Sequence, residues 1–85
     1  MVMDAIRHLG NLRSELIGRK WRAEIRTRPN GDVLHVQNPA FARMDGEIVC
    51  KDDAFHWVWG PVIGPVTAVT GVADRIVYVL REVGS

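Results

Sequence analysis

The chain has 85 residues, a formal net charge of +1, 47% hydrophobic and 25% charged residues. These values exclude a disordered tail and a fibrous repeat, and they point to one small globular domain spanning residues 1–85. A single cysteine, Cys50, excludes an intramolecular disulfide, so buried apolar surface has to carry the fold; it also suits a reducing compartment.

The opening stretch MVMDAIRHLG is charged by its fourth residue and has no apolar run of signal-peptide length. Asp4 reads as an N-cap, and Ile6, Leu9, Leu12, Leu16 and Ile17 recur at helical spacing. Gly18 reads as the C-cap. WRAEIR then alternates strictly, with Trp21, Ala23 and Ile25 on one side and Arg22, Glu24 and Arg26 on the other, the pattern of a half-buried strand. PNGD at 29–32 is a hairpin signal, because Asn-Gly tolerates positive φ.

VLHVQ is the second strand, with Leu34 and Val36 inward and His35 outward. Asn38-Pro39 opens a longer loop that Asp45-Gly46 closes. EIVC is a third strand, with Ile48 and Cys50 on one side, and Lys51, Asp52 and Asp53 form the next turn. AFHWVW is a fourth. GPVIGP has too much proline and glycine for regular structure. Val66, Val69, Ala73, Ile76, Val77 and Leu80 mark a second helix, with Arg81 in its last turn and Gly84 at its stop. Residues 54–73 lack Asp, Glu, Lys and Arg, but two Gly-Pro pairs and a His interrupt them, which argues against a membrane-spanning helix. A soluble, cytoplasmic protein is expected.

The order is α-β-β-β-β-α. Short connections predict a four-stranded antiparallel meander, and two amphipathic helices bury their stripes against one of its faces. The fold class is therefore an α+β two-layer sandwich with its other sheet face uncovered.

Phe55 and Trp57 belong on the covered side. One aromatic ring buries roughly 150–250 Å², several kcal/mol of gross burial at about 25 cal/mol per Å². An unstapled domain of this length cannot leave such groups in water. Trp59, at the strand end beside Gly60-Pro61, is open between core and pocket wall. The uncovered face displays Arg22, Arg26, His35, Val49, His56 and Val58, and its valines suggest coverage by a partner or a second copy. The alternative is a small-molecule pocket walled by Trp21, Trp59 and Ile63 near GPVIGP.

Charge is uneven: residues 1–43 carry eight basic and four acidic side chains, residues 44–85 three and six. The imbalance steers an acidic partner or lets the two halves pack together. The basic stretch 19–28 makes weak nucleic-acid binding a third reading. A pI near 8.0 and the absence of outward stacking aromatics speak against it. His35, Cys50, Asp52 and His56 have no metal-ligand spacing, and Cys50 faces away from both histidines, so neither a metal nor a nucleophile–base pair is expected. No cofactor and no catalytic set is read from the chain.

LHVQNP, a strand ending in Cys50, WVWG at 57–60, IGP at 63–65 and the closing ADRI helix together resemble a group of short uncharacterised actinobacterial proteins. The likeness covers roughly residues 15–82 and implies the same element order. It implies no reaction or cofactor, and at most a regulatory or interaction role. A non-enzymatic protein–protein interaction domain is the expected function, regulatory and homodimeric through the open sheet face or an edge strand.

Overall fold

The computed structural model describes residues 2–41 and 43–81. In chain order these form α1 (Val2–Gly18), β1 (Arg22–Arg28), β2 (Gly31–Gln37), β3 (Asp45–Lys51), β4 (Ala54–Trp57), β5 (Val62–Pro65) and α2 (Val69–Leu80). The strands make one antiparallel sheet in sequence order.

The sheet has five strands where four were expected. Val62–Pro65, read from its composition as irregular, pairs with β4. It does so as an edge strand with prolines only at its boundaries, Pro61 just before it and Pro65 its last residue. An edge has one row of backbone groups with no ladder bond to lose, so proline is tolerated there. The fourth strand is correspondingly shorter than expected, and Val58 and Trp59 lie in a turn.

Strand register places Ile25, Leu34, Ile48 and Trp57 in one cross-strand row, Ala23, Val36 and Gly46 in a second, and Cys50, Phe55 and Gly64 in a third. Both helices pack on this side. Leu9, Leu12 and Leu16 of α1 are fully buried there, and Val72, Ala73, Ile76 and Leu80 of α2 join them. Phe55 is inaccessible and Trp57 is 7% exposed, as their burial energy requires. Two glycines make room for this packing. A Cβ on Gly46 would sit 2.8 Å from Cζ3 of Trp57, and one on Gly64 would sit 2.9 Å from Cγ2 of Val72.

The helix ends differ from their sequence signals. α1 starts at Val2, so Asp4 lies inside its first turn and is not the N-cap. Its C-terminal turn is a Schellman motif. Trp21 N–H donates to Leu16 C=O at 3.0 Å and Lys20 N–H to Ile17 C=O at 2.8 Å. The left-handed residue is Lys20 (φ 66°), and Gly18 is still helical. α2 ends at Leu80 with Arg81 already extended beyond it, outside the last turn; Gly84 lies outside the described residues. In the β1–β2 hairpin the positive φ falls on Gly31. In the β3–β4 hairpin Asp52 (φ 53°) and Asp53 (φ 60°) are both left-handed, the signature of a type I′ turn.

Two polar fastenings hold the helices in place. Arg19 bonds Glu15 at 3.0 Å, Asp74 at 2.5 Å and the Thr70 carbonyl at 3.2 Å, linking the end of α1 to α2. The Asp74 carboxylate holds the guanidinium's pKa above its usual value. Asn38 is 7% exposed and fully engaged: its amide donates to the Leu80 carbonyl at 3.0 Å, and its Oδ1 accepts from the Ala40 and Phe41 amides. The Arg19–Asp74, Arg28–Glu47 and His35–Asp45 contacts all join the basic first half of the chain to the acidic second half.

Candidate functional site

The open sheet face has much of its charge already neutralised. Arg26 bonds Glu24 at 3.0 Å, its neighbour two positions back on the same side of β1. Arg28 reaches across to Glu47 of β3. His35 Nε2 lies 2.9 Å from Asp45 Oδ2, a carboxylate on the adjacent strand. Arg22 stands exposed at the start of β1, opposite Gln37.

The apolar members gather in the middle of that face. Val49 and His56 are direct cross-strand partners and half-buried, and His56 is paired on its other side with Val62. His56 Nε2 is enclosed and has no hydrogen-bond partner among the described residues. Val58 is 52% exposed. The structure thus brings Val49 and His56 together and sets Arg22 apart from them. Val33, absent from the expected set, is only 4% exposed although it faces away from the helices. The alternation that puts Leu34 and Val36 inward already places Val33 outward, and its burial there has no local signal.

A second surface lies at the β5 edge. Trp59 stacks on Trp57 with ring centroids 6.4 Å apart and planes 19° from parallel, yet remains 71% exposed. Beside it a groove of about 330 Å³ is floored by Trp57 and Ile63 and walled by Val62 of β5 and Tyr78 and Val79 of α2. Tyr78 is 63% exposed, and the Arg81 guanidinium lies 4.2 Å from its ring centroid. Asp74 and Arg75 place opposite charges on the same groove.

This geometry corrects the pocket expected from Trp21, Trp59 and Ile63. Ile63 is buried and lines the β5 groove, but Trp21 precedes β1, at the other end of the sheet, in a separate hollow with Ile17 and Ala23. A five-stranded sheet stands between the two tryptophans. Tyr78 and Val79 were missed; the legible signal was their position on α2 outside the stripe that carries Ile76 and Leu80.

Cys50 packs against the core at half burial. Burial, with a smaller contribution from the Asp53 carboxylate, pushes its thiol pKa up, away from the thiolate a nucleophile needs. Among the described residues no three His, Cys, Asp or Glu side chains converge on a metal-sized site. No described helix is long and apolar enough to cross a membrane. The molecule is an α+β sandwich with an antiparallel sheet, and no family model, curated protein or solved structure matches it.

Proposed function

We propose that the chain is a non-enzymatic protein–protein interaction domain that self-associates through its β5 edge. The observation that carries this reading is the apolar surface around Trp59, continued by Val62, Tyr78 and Val79. Trp59 and Tyr78 alone leave on the order of 300 Å² of aromatic surface in water. The largest apolar patch of a typical monomer is about 300–600 Å² and is often functional.

A second copy is the partner that fits best. A net charge of +1 opposes self-association only weakly. Arg75 and Asp74, the latter already bonded to Arg19, put both signs on the rim, so the rim raises no single-sign barrier against a second copy. Because Pro61 and Pro65 bracket β5, side chains rather than an added strand supply the contact. The patch is smaller than the roughly 800 Å² per partner of a standard interface, so the dimer should be weak and exchanging. Arg26 and His35 have intramolecular partners, and Arg22, Val49, His56 and Val58 are secondary contacts at most.

Sedimentation velocity across a concentration series reaching high micromolar tests this. The expected result is a concentration-dependent shift toward dimer that Trp59→Asp abolishes with the circular dichroism spectrum unchanged. A strict monomer overturns it. The β5 groove sits at the small end of ligand-site volumes, about 300–1,000 Å³. A strict monomer whose melting midpoint rises with a metabolite would favour the small-molecule reading instead.

A further inference from the structure

β2 and β3 part company halfway along. Their ladder runs from Gln37↔Asp45 to Leu34↔Ile48 and stops there. β2 continues against β1 as far as Gly31, and β3 continues against β4 as far as Lys51. Residues 31–33 and 49–51 therefore each have a neighbouring strand on one side only.

The direction of the free backbone groups follows from the register. Val58 N–H donates to Glu47 C=O at 2.9 Å, so the main chain of Glu47 faces β4. Alternation turns the main chain of Ile48 and Cys50 toward β2, and that of Leu34 and Asp32 toward β3. Leu34 and Ile48 form the last rung. The N–H and C=O groups of Asp32 and Cys50 face the opening beyond it, past the end of the ladder between the described strands.

The opening is a cleft of about 670 Å³, well inside the range of ligand sites. Val49 and Val58, with the mostly buried Val33 and with Ala5 of α1, are its apolar lining. Asp32 and Lys51 put opposite charges on its lips, and the Arg28–Glu47 ion pair joins β1 to β3 beside it. Lips of both signs match neither a polyanion nor a polycation. Main-chain donors and acceptors that turn toward the opening beyond the last rung of the ladder, beside branched apolar side chains, match the alternating backbone of an extended peptide.

We propose that this cleft binds an extended segment of a partner polypeptide, which lies between β2 and β3 and forms backbone hydrogen bonds with Asp32 and Cys50 beyond the end of their ladder. Side chains on one side of the segment rest on Val49 and Val58. The site is independent of self-association, because Trp59, Tyr78 and Val79 do not line it.

The test is an amide NMR titration of the intact chain with a synthetic pentapeptide, acetyl-Val-Thr-Val-Thr-Val-amide, and with the same peptide N-methylated at its central residue. The proposal expects saturable shifts at the amides of Asp32 and Cys50, slower hydrogen exchange there, and an affinity lowered about tenfold by N-methylation, the worth of one or two backbone hydrogen bonds. Val49→Lys should abolish the shifts. Val58→Lys, at an exposed position, serves as the second variant if Val49→Lys perturbs folding. Equal affinity for the two peptides, shifts centred on Trp59 and Tyr78, or no saturable shift at millimolar peptide would each overturn it.

Discussion

β1 and β5 are both edge strands, and they are protected in different ways. β1 is seven residues long and lines its solvent side with Arg22, Glu24, Arg26 and Arg28. Charged side chains along an edge make strand addition by another molecule costly. β5 has four residues, preceded by Pro61 and ending on Pro65, which limits backbone pairing, but around it Trp59, Val62, Tyr78 and Val79 are left in water. One edge discourages a partner through side chains. The other withholds its backbone and exposes apolar side chains, and that contrast is what the proposed self-association rests on.

The largest expected effect joins core and patch. Trp57 is buried against Gly46 on one side and carries Trp59 on the other. Trp57→Ala should cost about 3–5 kcal/mol, measured by urea unfolding followed by circular dichroism, and should also disperse the β5 patch. A loss below 1 kcal/mol would mean that the two regions are not coupled through this ring.

Next comes Asn38, which ties the loop before β3 to the last turn of α2. Asn38→Ala leaves the Leu80 carbonyl and two amides without partners and should cost about 1–3 kcal/mol. Amide exchange should quicken at Ala40 and Phe41 first. Unchanged exchange there would show that α2 is held by packing alone.

Lys20→Gly works in the opposite direction. It relieves a left-handed residue at the helix end and should stabilise the chain by about 1 kcal/mol. At the β1 edge, Arg26→Ala should change stability by less than about 0.5 kcal/mol, because the Glu24 pair is exposed. It should leave sedimentation unaltered. A change in self-association on Arg26→Ala, matched by none on Trp59→Asp, would reverse the assignment of the two edges.

The smallest effect is a pH dependence. The folded pKa of Cys50 lies above its unfolded value, so its contribution to stability is complete below the unfolded value and is lost as pH rises through the folded one. Unfolding midpoints should therefore decline at alkaline pH, and Cys50→Ser should flatten that part of the decline.

Much of this fold was legible because its signals are local. Alternation in WRAEIR and VLHVQ assigned inward and outward residues, and the helical stripe found Leu9, Leu12 and Leu16. The fifth strand was not legible, since proline counts against a strand until its place at an edge is known. Ile6 and Ile17 were counted in the α1 stripe yet are 46% and 42% exposed, because at about 100° per residue they fall on the flank of the face centred on Leu9, Leu12 and Leu16. The candidate sites were less legible still. His35 and Arg26 were read as available, and only side-chain geometry gave them Asp45 and Glu24. Trp21 and Trp59 look equivalent as aromatics at strand ends, and only strand order puts them at opposite edges.

By itself, then, the amino-acid sequence determined the class of fold, the covered face of the sheet and the burial of Phe55 and Trp57, because periodicity and burial energy act over a few neighbouring residues. Tertiary structure decided where the sheet ends, where β2 and β3 diverge, and which apolar groups stay in water at Trp59, Tyr78 and Val79. Those outcomes depend on pairings between residues far apart in the chain, such as Leu34 with Ile48, and no local pattern records where such a ladder stops.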